Sequence, residues 1–410
     1  MQILFLTHRL PYPPDKGERI RAFHELKYLA GRHEVDLFCF ADSQADAVHQ
    51  KACREICRSV HVETLRQPGR FLRAAWAGLC DRSMSAAFFY SPVFAEAVRQ
   101  ALRQHRHDLI FVYCSSMGQY VPSPSPARLV VDFVDADSAK WQQYAGSCRP
   151  PRSWLYAREA RAVAACERTL GSRAALSLAV TQHDARELCG AARNQFPVEV
   201  MANGVEVPTA IAEVADTGLR RLQPFAVFVG TMNYRPNSDA AEHFARDIFP
   251  LLRRQRPELN FVVVGRNPDR KVQRLAKLPG VTVTGTVPDV YQYFRHAEIS
   301  VAPFRISQGF HNKIAESLAV GTPVVTSSRA VAGIGLSEHE GLFAADNPQQ
   351  FAETVNFVLA NFLLRRKFRE SAPAVRKQLS WESRLRRLEE LMSEVVSRPA
   401  DLSPTILATK

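Results

Sequence analysis

Short runs of β-branched and aromatic residues alternate with helical stretches along nearly the whole chain, and this rhythm limits the fold more than any other feature. The runs fall at 3–7, 35–40, 61–65, 109–114, 129–133, 176–180 and 198–201, then again at 225–229, 261–264, 281–284, 299–303, 323–326 and 341–344. Separated by amphipathic segments of roughly ten to eighteen residues, they read as βαβ units whose strands pair in parallel. Runs such as Phe261-Val-Val-Val264 lack polar alternation, as strands covered by helices on both faces do. The reading is a first domain over 1–207, a linker over 208–223 between Pro208 and Pro224, and a second domain over 224–380. A basic amphipathic helix over 381–398, opening at Trp381, and a tail from 399 to 410 complete the chain. Two doubly wound α/β domains are therefore expected to face each other. Ligands of such sheets lie beyond the carboxyl ends of the strands, so binding is expected in the cleft between the domains.

Composition narrows the class of protein. The 410 residues are 46% hydrophobic and 23% charged, which suits a folded globular chain and excludes wholesale disorder or a coiled-coil rod. Lys plus Arg number 53 against 41 Asp plus Glu, leaving +12, which favours anionic partners: nucleic acid, an acidic membrane surface or phosphorylated small molecules. The eight cysteines all lie in the first half, without a CxxC pair, and read as reduced thiols. The opening residues have no basic leader, and no apolar run reaches the roughly 18 residues needed to span a bilayer. The expected address is the cytoplasm, at or near the inner face of the membrane.

The segment 281–325 carries the most chemical information. A strand ends at Pro303, a polar loop holds Arg305, Gln308, Gly309 and Phe310, and a helix starts near His311, with Asn312, Lys313 and Glu316 in its first turns. Backbone N–H groups at a helix start favour a phosphate, and Arg305 and Lys313 add positive charge beside it. Glu316, one turn further in, can accept hydrogen bonds from a sugar diol; the competing reading is a pair with Lys313 at i, i+3.

These residues resemble the retaining GT-B glycosyltransferases of family 4, whose mark is Glu, seven residues, Glu, then a small-residue helix and Gly-x-Pro-Val-Val. Glu316-Ser-Leu-Ala-Val-Gly-Thr-Pro-Val-Val325 supplies the second half, while Gln308 stands where the first Glu is expected. The Gly-x-x-Asn-Lys-x-x-Glu version is similar to a bacterial subgroup, the sugar transferases associated with exopolysaccharide and protein-sorting (PEP-CTERM) gene systems. The resemblance implies a GT-B fold of two Rossmann-like domains. It also implies a nucleoside diphosphate sugar as co-substrate with no further cofactor, and a glycan or lipid-linked acceptor. On its terms Phe228-Val-Gly230 leads into the loop where basic groups grip the donor diphosphate, with Arg235 the candidate; Asn237 reads as a helix cap or a substrate contact. Gly265 and Arg266 approach the nucleotide, and Val287 flanks the base. Arg235, Lys313 and Gln308 would carry the catalytic contacts, with His311 orienting the sugar.

In the first domain the same resemblance picks out the loop Pro11 to Arg19. Gly17 would let the backbone approach the ligand, and Lys16, Arg19 and Arg21 would surround it with charge. Asn203-Gly204-Val205 matches the family's hinge. Asp135 and Asp137 stand on the acceptor side, with Asp137 alternatively capping a helix. A metal between them is disfavoured, since such enzymes generally need none. From 66 to 106, seven basic and two acidic residues interleave with Phe71, Leu72, Trp76, Phe88, Phe89 and Tyr90. That mixture suits an anionic leaflet, or else a solvated helix over a buried aromatic stripe. Nucleic-acid binding is not expected, because no reader motif appears. The alternatives to a transferase are a nucleotide-sugar 2-epimerase on the same fold and a two-lobed sugar-binding module without chemistry.

Overall fold

The computed structural model describes residues 1–14, 17–65, 67–80, 82–190, 196–208, 217–306, 309–334, 336 and 340–397. Lys16 and Gln308, both expected at the site, lie outside the described residues. By its contacts the chain divides into two compact units, one of 1–201 together with the chain from Leu385 onward, the other of 202–384.

The first unit holds a seven-stranded parallel sheet: β1 Gln2–Thr7, β2 Glu34–Ala41, β3 Ser59–Thr64, β4 Leu109–Tyr113, β5 Arg128–Asp132, β6 Leu176–Ala179 and β7 Val198–Val200. Their spatial order is β3-β2-β1-β4-β5-β6-β7, so the winding reverses between β1 and β4. There Ile3 faces Leu109 and Thr7 faces Tyr113. The central strands β1 and β4 are almost wholly apolar because both faces are covered; all five residues of β4 are buried.

The second unit repeats the plan with β8 Phe225–Val229, β9 Asn260–Val264, β10 Val281–Gly285, β11 Ile299–Ala302, β12 Val324–Thr326 and β13 Leu342–Ala344. Their order is β10-β9-β8-β11-β12-β13, with the reversal between β8 and β11. One core face gathers Phe244, Phe249 and Phe261, with the Phe244 and Phe261 ring centroids 4.5 Å apart. Within the expected linker, Thr217–Leu222 forms a short helix. Gly204 belongs to the second unit, where a Cβ would come within 2.5 Å of the Trp381 backbone, and Val205 N–H donates to the Leu379 carbonyl at 2.8 Å. The Trp381–Ser397 helix starts in the second unit and continues into the first.

Candidate active site

In the second unit the loops after β8, β9 and β10 are stitched together at their glycines. Gly230 N–H donates to the Val264 carbonyl at 2.9 Å, and Gly265 N–H to the Gly285 carbonyl at 3.0 Å. Gly265 has φ +150°, and a Cβ there would stand 1.7 Å from the Gly230 carbonyl oxygen, so no larger residue fits. The packing of loop on loop alone therefore requires this glycine. Gly230 in turn faces the Asn237 side chain, 2.8 Å from where its Cβ would lie.

Asn237 is the centre of the arrangement. It does not cap its helix, Arg235–His243, whose cap position is Tyr234. Instead it is buried, its Nδ2 donating to the Thr231 carbonyl at 3.0 Å and its Oδ1 accepting from Lys313 Nζ at 2.9 Å. Lys313 comes from the first turn of the Asn312–Val320 helix after β11, so this bond ties the two loops on either side of the sheet's reversal point. Its ammonium lies 5.0 Å from the centroid of the Phe304 ring and 5.6 Å from that of Phe228. Burial pushes its pKa from the ordinary 10.5 to about 8, with Glu316 opposing the shift. The competing i, i+3 pairing is thus reduced to a field effect, and Lys313 directs its hydrogen bond to Asn237. Burial pushes the Glu316 carboxyl up, Lys313 pulling the other way, and Tyr291 is pushed up by burial and by Glu316.

His311 occupies the cap position of the same helix and stacks on Phe304, centroids 4.3 Å apart. Burial, then Lys313, pushes its pKa down to about 3, so the imidazole is neutral at pH 7. Gly309 has φ +65°, and Phe310 packs on the core at its side. Asn312 buries an Oδ1 without a partner. Val287 packs against the smaller apolar cluster of β8 and β9. Arg235 and Arg266 are exposed at the rim, Arg266 Nε lying 3.4 Å from Thr231 Oγ1. Arg305 departs from expectation: its guanidinium makes a two-pronged contact with Asp239, at 3.0 and 2.5 Å, and so brings little uncompensated charge to the loop. The Asn237 bridge and the Asp239 counter-charge connect positions far apart in sequence, and local motifs gave no sign of either.

The first unit presents different chemistry at the carboxyl ends of its strands. Gly17 opens the Gly17–Ala30 helix, and among the described residues nothing beyond its chain neighbours and its own helix backbone lies within 4 Å of the point a Cβ would occupy there. Arg19 and Arg21 do not join the expected ring of charge around it. Arg19 is buried, with Nη2 3.4 Å from Asp46, and Arg21 is fully buried against Asp132 at 2.6 Å and Glu25 at 3.0 Å, donating also to the Met201 carbonyl at 2.8 Å. Two carboxylates share one guanidinium: burial and then Asp132 push the Glu25 carboxyl well up, with Arg21 pulling the other way. After β5, Val134 takes φ +66°, and the Asp135 and Asp137 that follow feel the charges of Asp184 and Lys140. Burial, then Asp184, raises Asp135 to about 7. Asp137 is no cap, since Ala136 holds that position, and it stands in the first turn of the Asp137–Gly146 helix. Among the described residues no group of three or more His, Cys, Asp or Glu is placed to hold a metal ion.

No curated protein matches the chain. Solved structures do, across nearly its whole length. HepE from Anabaena in complex with UDP and glucose superposes with TM-score 0.64 at 15% identity, covering 96% of this chain and 100% of that one. Sucrose-phosphate synthase from Thermosynechococcus elongatus gives TM-score 0.66 at 15% identity, covering 96% and 98%. The lipopolysaccharide outer core galactosyltransferase WaaB gives 0.63 at 13%, covering 96% and 99%. At these identities the likeness is one of fold. A family model described as glycosyl transferases group 1 matches residues 223–361, the span that holds the glycine-stitched loops, Asn237 and Lys313. This chain folds into two parallel-sheet Rossmann-like units in the manner of the GT-B structures, and residues 223–361 of the second are similar to the model described as glycosyl transferases group 1.

Proposed function

We propose that the protein is a retaining glycosyltransferase that moves a sugar from a nucleoside diphosphate donor to a glycan or lipid-linked acceptor in exopolysaccharide assembly. The observation that carries this reading is the Lys313 ammonium, held by Asn237 against two aromatic rings at the start of the helix after β11. A diphosphate placed there would meet the ammonium and the helix N-terminus together. The matched family span and the UDP-bound HepE structure support a nucleotide-sugar donor.

In the reaction the bond from the sugar's anomeric carbon to the phosphate oxygen breaks, and charge grows on the leaving diphosphate. Lys313 and the first-turn amides of the Asn312–Val320 helix would stabilise that charge, with Arg235 at the rim; one preorganised donor of this kind is worth several kcal/mol. Glu316 would accept from the ribose hydroxyls, and the neutral His311, with Gln308, would orient the transferred sugar. Retention follows if the acceptor oxygen attacks from the face the phosphate leaves and passes its proton to a phosphate oxygen.

The test is thermal-shift screening against UDP-, GDP-, TDP- and ADP-sugars, followed by product analysis with the stabilising donor. Transfer with the anomeric configuration kept, and undiminished in EDTA, is expected. An inverted product removes the retaining mechanism, an isomerised donor means an epimerase, and binding without turnover means a sugar-binding module. A strict Mg²⁺ requirement would bring Asp135 and Asp137 back as ligands.

A further inference from the structure

The Gln67–Leu79 helix of the first unit is inside out. Its apolar residues recur at helical spacing, but the stripe points away from the protein: Phe71 is 58% exposed, Leu72 72%, Trp76 69% and Leu79 82%. Its inward side carries Arg70, only 7% exposed, which meets Asp42 at 3.3 Å and lies 4.4 Å from the Phe88 ring. Of the two readings of this stretch, the buried aromatic stripe therefore fails for Phe71, Leu72 and Trp76. Water alone does not favour such an orientation, because an apolar stripe of this size costs free energy until something covers it.

A second exposed apolar pair adjoins it. Arg158 of the Arg152–Gly171 helix donates to the Ala77 and Arg82 carbonyls at 2.9 and 2.7 Å, and Glu159 accepts from Ser83, Met84 and Ser85. Trp154 and Leu155 stand one turn before Arg158 and Glu159, hence on the side of the helix that meets the end of the Gln67–Leu79 helix, and they are 70% and 43% exposed. From Ser138 to Arg158 the sequence has four basic residues and no acidic one, and Arg82, Arg149 and Arg152 are exposed. The face is moored where ligands of such a sheet belong. Asp42 follows the end of β2 and pairs with both Arg70 and Arg9, and Phe89 sets its edge on His8, just past β1.

We propose that these two helices form one docking face for an anionic lipid bilayer, with Trp76, Leu79 and Trp154 entering the headgroup boundary and the arginines meeting lipid phosphates. Tryptophan with leucine among arginines is the composition that interfaces of this kind select. Docked so, the face brings the carboxyl edge of the first sheet to the membrane, where a lipid-linked acceptor would present its sugar. The inference stands apart from the transferase reading, since it concerns lipid binding by the first unit alone.

The test is sedimentation of the full chain with vesicles of phosphatidylcholine alone and of phosphatidylcholine mixed with phosphatidylglycerol. Binding to the mixed vesicles that weakens with salt is expected, together with quenching by brominated lipid of Trp76 and Trp154, two of the four tryptophans. Trp76→Ser with Leu79→Ser should weaken binding at least about tenfold, with unchanged thermal melting and unchanged donor-induced thermal shift. Arg149→Glu with Arg152→Glu should remove the preference for phosphatidylglycerol. The proposal is overturned if the folded chain ignores both vesicle types or if the apolar double variant binds like the parent. It is equally overturned if light scattering shows a dimer that this variant dissolves, since the face would then be covered by a second copy. Donor turnover with a water-soluble acceptor reports separately on the transferase reading.

Discussion

Lys313→Met tests the site most directly, because it keeps the side chain's length and removes its charge. In the free protein, lowering the ammonium's pKa from 10.5 to about 8 corresponds to about 3 kcal/mol held against the charged form, at about 1.4 kcal/mol per decade. A bound diphosphate would reverse that penalty and make the ammonium a strong anion donor. Removing it should therefore cost about 2 to 3 kcal/mol of transition-state stabilisation, or about 30- to 150-fold in kcat/KM. A second readout follows from the sign of the shift. Donor affinity should be flat below pH 8 and fall about tenfold per pH unit above it as the ammonium loses its proton, and the methionine variant should lack that fall. Folding stability should move the other way. Between about pH 8 and the ordinary 10.5 the unfolded chain holds the proton that the folded one has released, so the parent gains stability relative to the variant as pH rises through this window. Steady-state kinetics and titration calorimetry across pH 6 to 10, with matched thermal melts, decide the matter. A folded variant with parental turnover, or one that keeps the alkaline fall in affinity, would refute Lys313 as the phosphate contact.

Three further substitutions probe the frame. Arg21→Met should destabilise the protein by about 3 to 5 kcal/mol in denaturant melts, since Asp132 loses its buried partner, whereas Glu25→Gln should cost under about 1 kcal/mol because burial already disfavours the charged form of Glu25; equal losses would disprove the shared-charge arrangement. Gly265→Ala should destabilise by at least about 3 kcal/mol and abolish donor-induced thermal shifts, because its Cβ would overlap the Gly230 carbonyl. Asp135→Asn should be stabilising. With the folded pKa raised to about 7, stability drains away as pH climbs from about 4 to 7, so above pH 7 the variant should exceed the parent by about 1 to 2 kcal/mol after allowing for solvent screening. Equal pH profiles would place Asp135 in contact with water.

The sheets were legible because a strand buried on both faces must be apolar throughout; Phe261 to Val264 and Leu109 to Val112 admit little else. The helix from Asn312 and the turn at Gly321, with φ +92°, were equally open to reading, being local. What eluded the sequence is who faces whom. Arg305 reads as free charge until Asp239, 66 positions earlier, lies against it, and Asn237 reads as a cap until Lys313 arrives from 76 positions away. Arg21 sits just before Phe23 and His24 in an ordinary amphipathic helix, and only the Asp132 strand end shows that it points inward. The Gln67–Leu79 stripe was visible as a period, but a period cannot say which side is the inside.

The path of the last helix also has a consequence for the order in which the protein is made. Leu385, Leu388 and Met392 are buried in the first unit, and Glu389 there accepts from Tyr28 at 2.8 Å. A ribosome releases the second unit as an unbroken stretch, but the first, begun earlier, waits until the second has emerged before it receives its closing segment. A fragment that stops at 201 would lack this closing segment and leave Tyr28 without Glu389, so the nascent first unit stays without them while the whole second unit is being synthesised.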